Sequence, residues 1–154
     1  MRSRTGSILL GLFALVVAAA ALRSIAPWLQ LRARYPGSSR ETDRFGTGTV
    51  EVRTGGRLGT AVFRDTVAID FGPAGVALAL RGPMGLLLEP LAIPAQAVGS
   101  CERRRLSGAW TGIELWLPAA GAGVGFPRED EDRILAWCAS HGIVVTAPST
   151  RQVQ

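Results

Sequence analysis

Few residues in this chain have types or spacings suited to chemistry. There is one histidine, His141, and there are two cysteines, Cys101 and Cys138. A hydrolytic triad needs a base held beside a nucleophile, and no serine stands in the G-x-S-x-G turn that would expose one. His141 falls at the end of a predicted helix, where an imidazolium suits the negative terminus, so a capping or core role is its plain reading. Two cysteines outside CxxC spacing, with one histidine, fall short of a structural zinc site. The EDED run at residues 129–132 lacks the spaced oxygen ligands of a calcium loop and reads as a solvated helix start. Gly121, Gly123 and Gly125 in GAGVGF do not follow G-x-G-x-x-G, and the acids after them would repel phosphate, so they read as a hairpin turn. No catalytic residue, metal or cofactor is expected.

The one concentrated charge is Arg103-Arg104-Arg105. On a strand, Arg103 and Arg105 share a face. Near an anionic membrane each basic residue contributes about 1 kcal/mol, which makes the run a candidate site for lipid headgroups. The plain reading is a solvated strand end, partly balanced by Glu102.

Total charge sharpens this. All 17 basic residues are arginine, against 12 acids, giving +5 and a pI near 10.9. Residues 35–154, however, hold 12 arginines and 12 acidic residues, a balance of zero. The excess lies in Arg2, Arg4, Arg23, Arg32 and Arg34, around and just after an apolar run. Nucleic-acid binding needs a basic surface on the folded domain; arginines flanking an apolar run serve bilayer placement. Nucleic acid is therefore set aside as a partner.

The apolar run, TGSILLGLFALVVAAAAL at residues 5–22, makes about 27 Å of helix at 1.5 Å per residue. A hydrocarbon layer of about 30 Å is within its reach. Arg23 can snorkel, and Ile25 and Leu31 extend the apolar contact to about residue 31. Arg23, Trp28, Arg32 and Arg34 are then expected at the membrane interface. The rival is a secretory signal, for which the alanines at 18–21 supply a cleavage site. Five arginines follow the run within about twenty residues (23, 32, 34, 40 and 44), against two before it. They favour a single-pass anchor in the inner membrane with the domain in the cytoplasm; the alternative is a processed periplasmic domain. A cytoplasmic domain would keep two buried thiols. An exported one would bond them if the α-carbons lie within about 7 Å.

The rest of the chain supplies the elements. Residues 26–37 read as a short amphipathic helix closed by Pro36-Gly37, and 37–48 as a polar linker. The organisation is a span at 5–22, a juxtamembrane helix and linker at 23–48, a folded domain at 49–142, and a tail at 143–154. Alternation in TVEVRT, TVAIDF, GVALAL and TGIELWLP gives strands, the middle two forming a hairpin across Gly72-Pro73. QAVGSCERRR and AGVGF read as further strands. Three prolines in residues 82–94 make a loop or edge segment, with Leu91 and Ile93 inward. Residues 127–141 form a helix with acids in its first turn, a stripe of Ile134, Leu135, Cys138 and His141, and a stop at Gly142. The class is α+β, mainly β: a bent antiparallel sheet or barrel of six or seven strands, capped by one C-terminal helix.

That order resembles a pleckstrin-homology-like barrel, whose terminal helix plugs one open end. The strings W-x-x-L-x-x-R-Y-P at 28–36, GVALAL at 75–80 and EPLAIP at 89–94 resemble a group of small bacterial membrane-anchored proteins of unassigned function. In that group a GLYL-like strand precedes a PPLLIPW-like one; here Ala77 and Ala95 replace the tyrosine and the last tryptophan. The resemblance implies a retained membrane segment and no known activity. What is expected is a non-enzymatic, membrane-anchored interaction module, with the bilayer and an unidentified protein as partners.

Overall fold

A helix that is apolar on all sides has no polar face to turn toward water. Residues 8–22 are of this kind: an 18-residue window within Ile8–Arg34 has a mean hydropathy of 2.4, with none of it buried. In the computed structural model, which describes residues 4–37, 46–55, 59–107 and 110–146, they belong to a single helix, α1, Arg4–Arg34. Leu15 is 72% exposed and Leu22 61%. From Ile25 onward the same helix enters the domain: Trp28 and Leu31 are fully buried, and Tyr35 nearly so. The separate juxtamembrane helix expected at 26–37 is therefore the last part of α1. Pro27 lies inside it, without ending it. The expected linker lies largely outside the described residues.

Eight strands form one curled sheet: β1 (Gly46–Thr54), β2 (Thr60–Phe71), β3 (Gly75–Leu80), β4 (Leu91–Pro94), β5 (Ser100–Arg105), β6 (Thr111–Leu117), β7 (Ala122–Pro127) and β8 (Val144–Thr146). Their order is β4-β3-β2-β1-β7-β6-β5-β8. Two antiparallel meanders thus meet where β1 pairs with β7. β4 is an edge strand, which accommodates Pro94 and, just before it, Pro90. Between β3 and β4 runs a short helix, α2 (Pro83–Leu87). The class expected from sequence is the one observed, with eight strands instead of six or seven. The additional strand is β8, which lies in the expected tail and pairs in parallel with β5.

β2 is twice as long as TVAIDF alone suggests. Its alternation is interrupted by a bulge opposite Thr49, since Gly48 faces Val67 while Val50 faces Phe63. Asp65 adopts a left-handed φ of 52° there. The Thr49 hydroxyl donates to its carboxylate at 3.1 Å and accepts from its backbone N–H at 3.2 Å.

Inward side chains of both meanders form one core with α1 and the terminal helix α3 (Glu131–Ser140). α3 buries Ile134, Trp137 and Cys138. Trp137 was not in the predicted stripe, yet its indole donates to the Gly72 carbonyl at 2.8 Å and its ring meets Phe71. The helix ends as expected. Gly142 has φ 66°, its N–H donates to the Ala139 carbonyl, and the Ile143 N–H donates to the Cys138 carbonyl, a glycine-terminated Schellman closure. Cys101 and Cys138 form a disulfide, with α-carbons 6.7 Å apart. That replaces the pair of free thiols expected of a cytoplasmic domain.

Candidate functional site

Strand alternation divides the arginine run. Arg103 points toward α3, where its Nε donates to Glu131 at 2.7 Å. Arg104 points to the opposite face and donates to Glu114 at 3.0 Å. Arg105 is exposed and pairs with no carboxylate among the described residues. The three therefore present no contiguous basic patch: two are already paired, on opposite faces of β5.

Arg104 belongs to a polar seam that sequence reasoning missed. Glu114, at 1% exposure, accepts from Arg53 Nε at 3.0 Å, Arg53 Nη2 at 2.6 Å and Arg104. Glu114 thereby holds the Arg53 guanidinium above its ordinary pKa range. Arg53 also lies 5.6 Å over the Trp116 ring, a cation–π contact. Between Arg53 and Trp116 the facing residue of β7 is Gly123. A Cβ there would sit 2.5 and 2.7 Å from the Glu114 carboxylate oxygens; only glycine leaves room for the charge. Gly125, the next outward residue of β7, lies between Glu51 and Glu114. Glu51, also buried, accepts from the Ser107 N–H at 2.6 Å and from the Ser107 hydroxyl. Of the glycines read as a turn, only Gly121 is in one, with φ 57°; the other two are packing positions in a central strand. Three charged partners 51 and 10 residues apart in sequence carry no local signal, and a lone alternating glycine pair was the only trace.

His141 closes the far end of the domain. Its Nδ1 lies 2.9 Å from the Trp137 carbonyl, its Nε2 2.9 Å from that of Pro73. Carbonyls only accept, so this arrangement favours the imidazolium, in which both nitrogens donate. The same two carbonyls, Pro73 first, raise its pKa. This is the structural role expected of it, with a bridge to the β2–β3 turn added. Among the described residues, no three histidine, cysteine or carboxylate side chains converge as metal ligands. A cavity of ≈ 500 Å³ beside the β2 bulge is lined by Thr49, Arg64, Asp65, Trp110, Arg128 and Glu129. Its charges cancel, and it is open to solvent.

The expected membrane-interface residues separate into two groups. Arg23 and Arg34 are exposed. Trp28 is not at an interface: it is 0% exposed, donates from Nε1 to the Glu89 carbonyl at 3.1 Å and packs edge-on against Phe63. The domain covers the Trp28 face of this helical turn, while Leu29 and Gln30 on the other face are exposed. Arg32 forms an ion pair with Glu89. Ala92 N–H donates to the Tyr35 carbonyl, Pro36 bridges Leu91, and Gly37 N–H donates to the Pro90 carbonyl. The end of α1 is thus joined to the segment leading into β4. This junction, between an exposed apolar helix and the domain, is the feature with the clearest functional meaning. Comparison with protein-family models, with curated proteins and with solved structures finds no match.

Proposed function

We propose that the chain is a single-pass membrane protein whose non-enzymatic β-domain, PH-like in organisation, is an interaction module held against the bilayer. One observation carries this reading: α1 is exposed and apolar through Leu22, and from Trp28 onward one face of it, Trp28, Leu31 and Tyr35, is buried in the domain. A flexible tether would let the domain wander; a continuous helix fixes its height and orientation above the membrane.

Pro27 supports a boundary at Arg23. Proline has no N–H, so the Arg23 carbonyl four residues earlier lacks its intrahelical partner. An unpaired carbonyl is costly in hydrocarbon and harmless at headgroup level, where water can satisfy it. The PH-like reading is supported by two antiparallel meanders, of four and three strands, followed by one capping helix. Arg23, Arg32 and Arg34 after the span support a cytoplasmic domain. Alkaline carbonate extraction of native membranes tests the anchor: the chain should stay in the pellet, and release into the supernatant would refute it.

A second reading of the side is favoured by the Cys101–Cys138 disulfide, since such bonds persist in oxidising compartments. Denaturing cells directly in alkylating agent separates the two. A cytoplasmic domain takes up two alkyl groups before reduction, an exported one none.

A further inference from the structure

We propose that α2 is a second membrane contact, a loop that inserts Leu86 and Leu87 into the same leaflet from which α1 emerges. The inference rests on α1 spanning a bilayer, and goes beyond it by assigning a lipid-facing surface to the domain itself.

Leu86 is 89% exposed and Leu87 78%, more than any other large apolar residue of the folded domain among the described residues. They do not sit on a loose loop. Gly85 packs so closely on the Leu80 carbonyl that a Cβ would collide with it. Its N–H donates to the Gly82 carbonyl at 3.0 Å, and Gly82 takes a φ of 68°. The Leu88 N–H donates to the Met84 carbonyl at 2.9 Å, and Leu88 is buried. The backbone is pinned on both sides, and two leucines are turned outward from it. No acidic residue occurs between Leu80 and Leu88, and exposed Arg81 begins the loop.

Contacts with α1 place the loop at the membrane end. Ala92 is level with Tyr35, while Glu89 meets both Arg32 and Trp28. Walking back from residue 92 to 89 therefore descends α1 toward its N-terminus. Tyr35 to Trp28 is about 10 Å of helix, and Trp28 to Arg23 about 7 Å more. Leu88, Leu87 and Leu86 lead on from Glu89 at the Trp28 level, about 7 Å of helix from Arg23 and Ser24, where exposed apolar helix begins. Lipid is the occupant we infer, because the exposed leucines directly precede the segment that meets α1 at Trp28, the end of the helix from which the exposed apolar span begins.

The test uses the full-length protein in phosphatidylcholine vesicles, with a genetically encoded solvatochromic amino acid at position 87, 15 or 74. Leu15 lies within the span; Ala74 is exposed in the turn at the opposite end of β3. The expected result is blue-shifted emission at 87 and quenching by acyl-chain doxyl lipid several-fold stronger than at 74. Water-like emission and no quenching at 87, with 15 quenched, overturns the proposal and leaves the anchor standing. Blue-shifted emission at 87 without lipid quenching overturns it in favour of a protein partner or second copy. Failure to quench at 15 refutes the span itself and the inference with it.

Discussion

Substituting Gly123 by alanine adds one methyl group at a position whose backbone tolerates it. The difficulty is the neighbour: the new Cβ falls 2.5 and 2.7 Å from the oxygens of Glu114. That carboxylate is 1% exposed and held by Arg53 and Arg104, so it can move only by breaking those contacts. Breaking a buried pair costs about 3–5 kcal/mol. Here Arg53 and Arg104 side chains are 33% and 30% exposed and can rehydrate, which brings the expected loss to about 2–3 kcal/mol. At about 4 °C per kcal/mol for a domain of this size, Tm should fall by roughly 8–12 °C. Thermal melts of G123A, E114A and the double variant, in detergent, measure it. Because E114A removes the group that the methyl displaces, the double variant should be no worse than E114A alone, a strong non-additivity. A G123A melt within about 2 °C of wild type, or strictly additive losses, would refute the seam as a close-packed ion cluster.

Three further outcomes follow from the same contacts. His141 has a raised folded pKa, so its bridge stabilises fully below the ordinary histidine pKa near 6.5 and fades as pH rises through the folded value; the pH dependence of Tm in that window should flatten in H141Q. The Cys101–Cys138 bond closes a separation of 37 residues, for which chain entropy gives about 4 kcal/mol; adding reductant to the folded protein should lower Tm markedly, and C101S/C138S should be insensitive to it. W28A should cost about 3–5 kcal/mol by leaving a cavity between α1 and Phe63, whereas W28F should cost about 1 kcal/mol, chiefly the Nε1 bond to Glu89; urea unfolding distinguishes them.

The strands were legible where large apolar residues alternate with others, as in TGIELWLP, because period-two patterning is a direct consequence of the pleat; that its second face is buried too, with Glu114 at 1% exposure, was not legible. The bulge in β2 was not, since Arg64 and Asp65 break the alternation and only the pairing with Thr49 shows that the strand continues. The amphipathic pattern after the apolar run made the end of α1 look like a separate element, and Pro27 lies inside the continuous helix. It stands where the helix leaves one environment for another, and burial of Trp28 and Leu31 carries the helix across it. The same burial moved Trp28 from the expected interface into the core: a tryptophan after an apolar span suits either place, and only the partner surface decides. The Arg53–Glu114–Arg104 cluster needs three strands in register before it exists, and pairing across a sheet is not written in any one of them. Short β8 lacked the length for alternation to be read.

The central claim is that the apolar part of α1 remains joined to the domain it enters. Intact mass of the chain purified from native membranes tests this most directly. Retention predicts a mass that includes residues 5–22 together with the domain. A chain shortened by about twenty residues, with its new N-terminus just after the alanines at 18–21, would show a processed signal and contradict it.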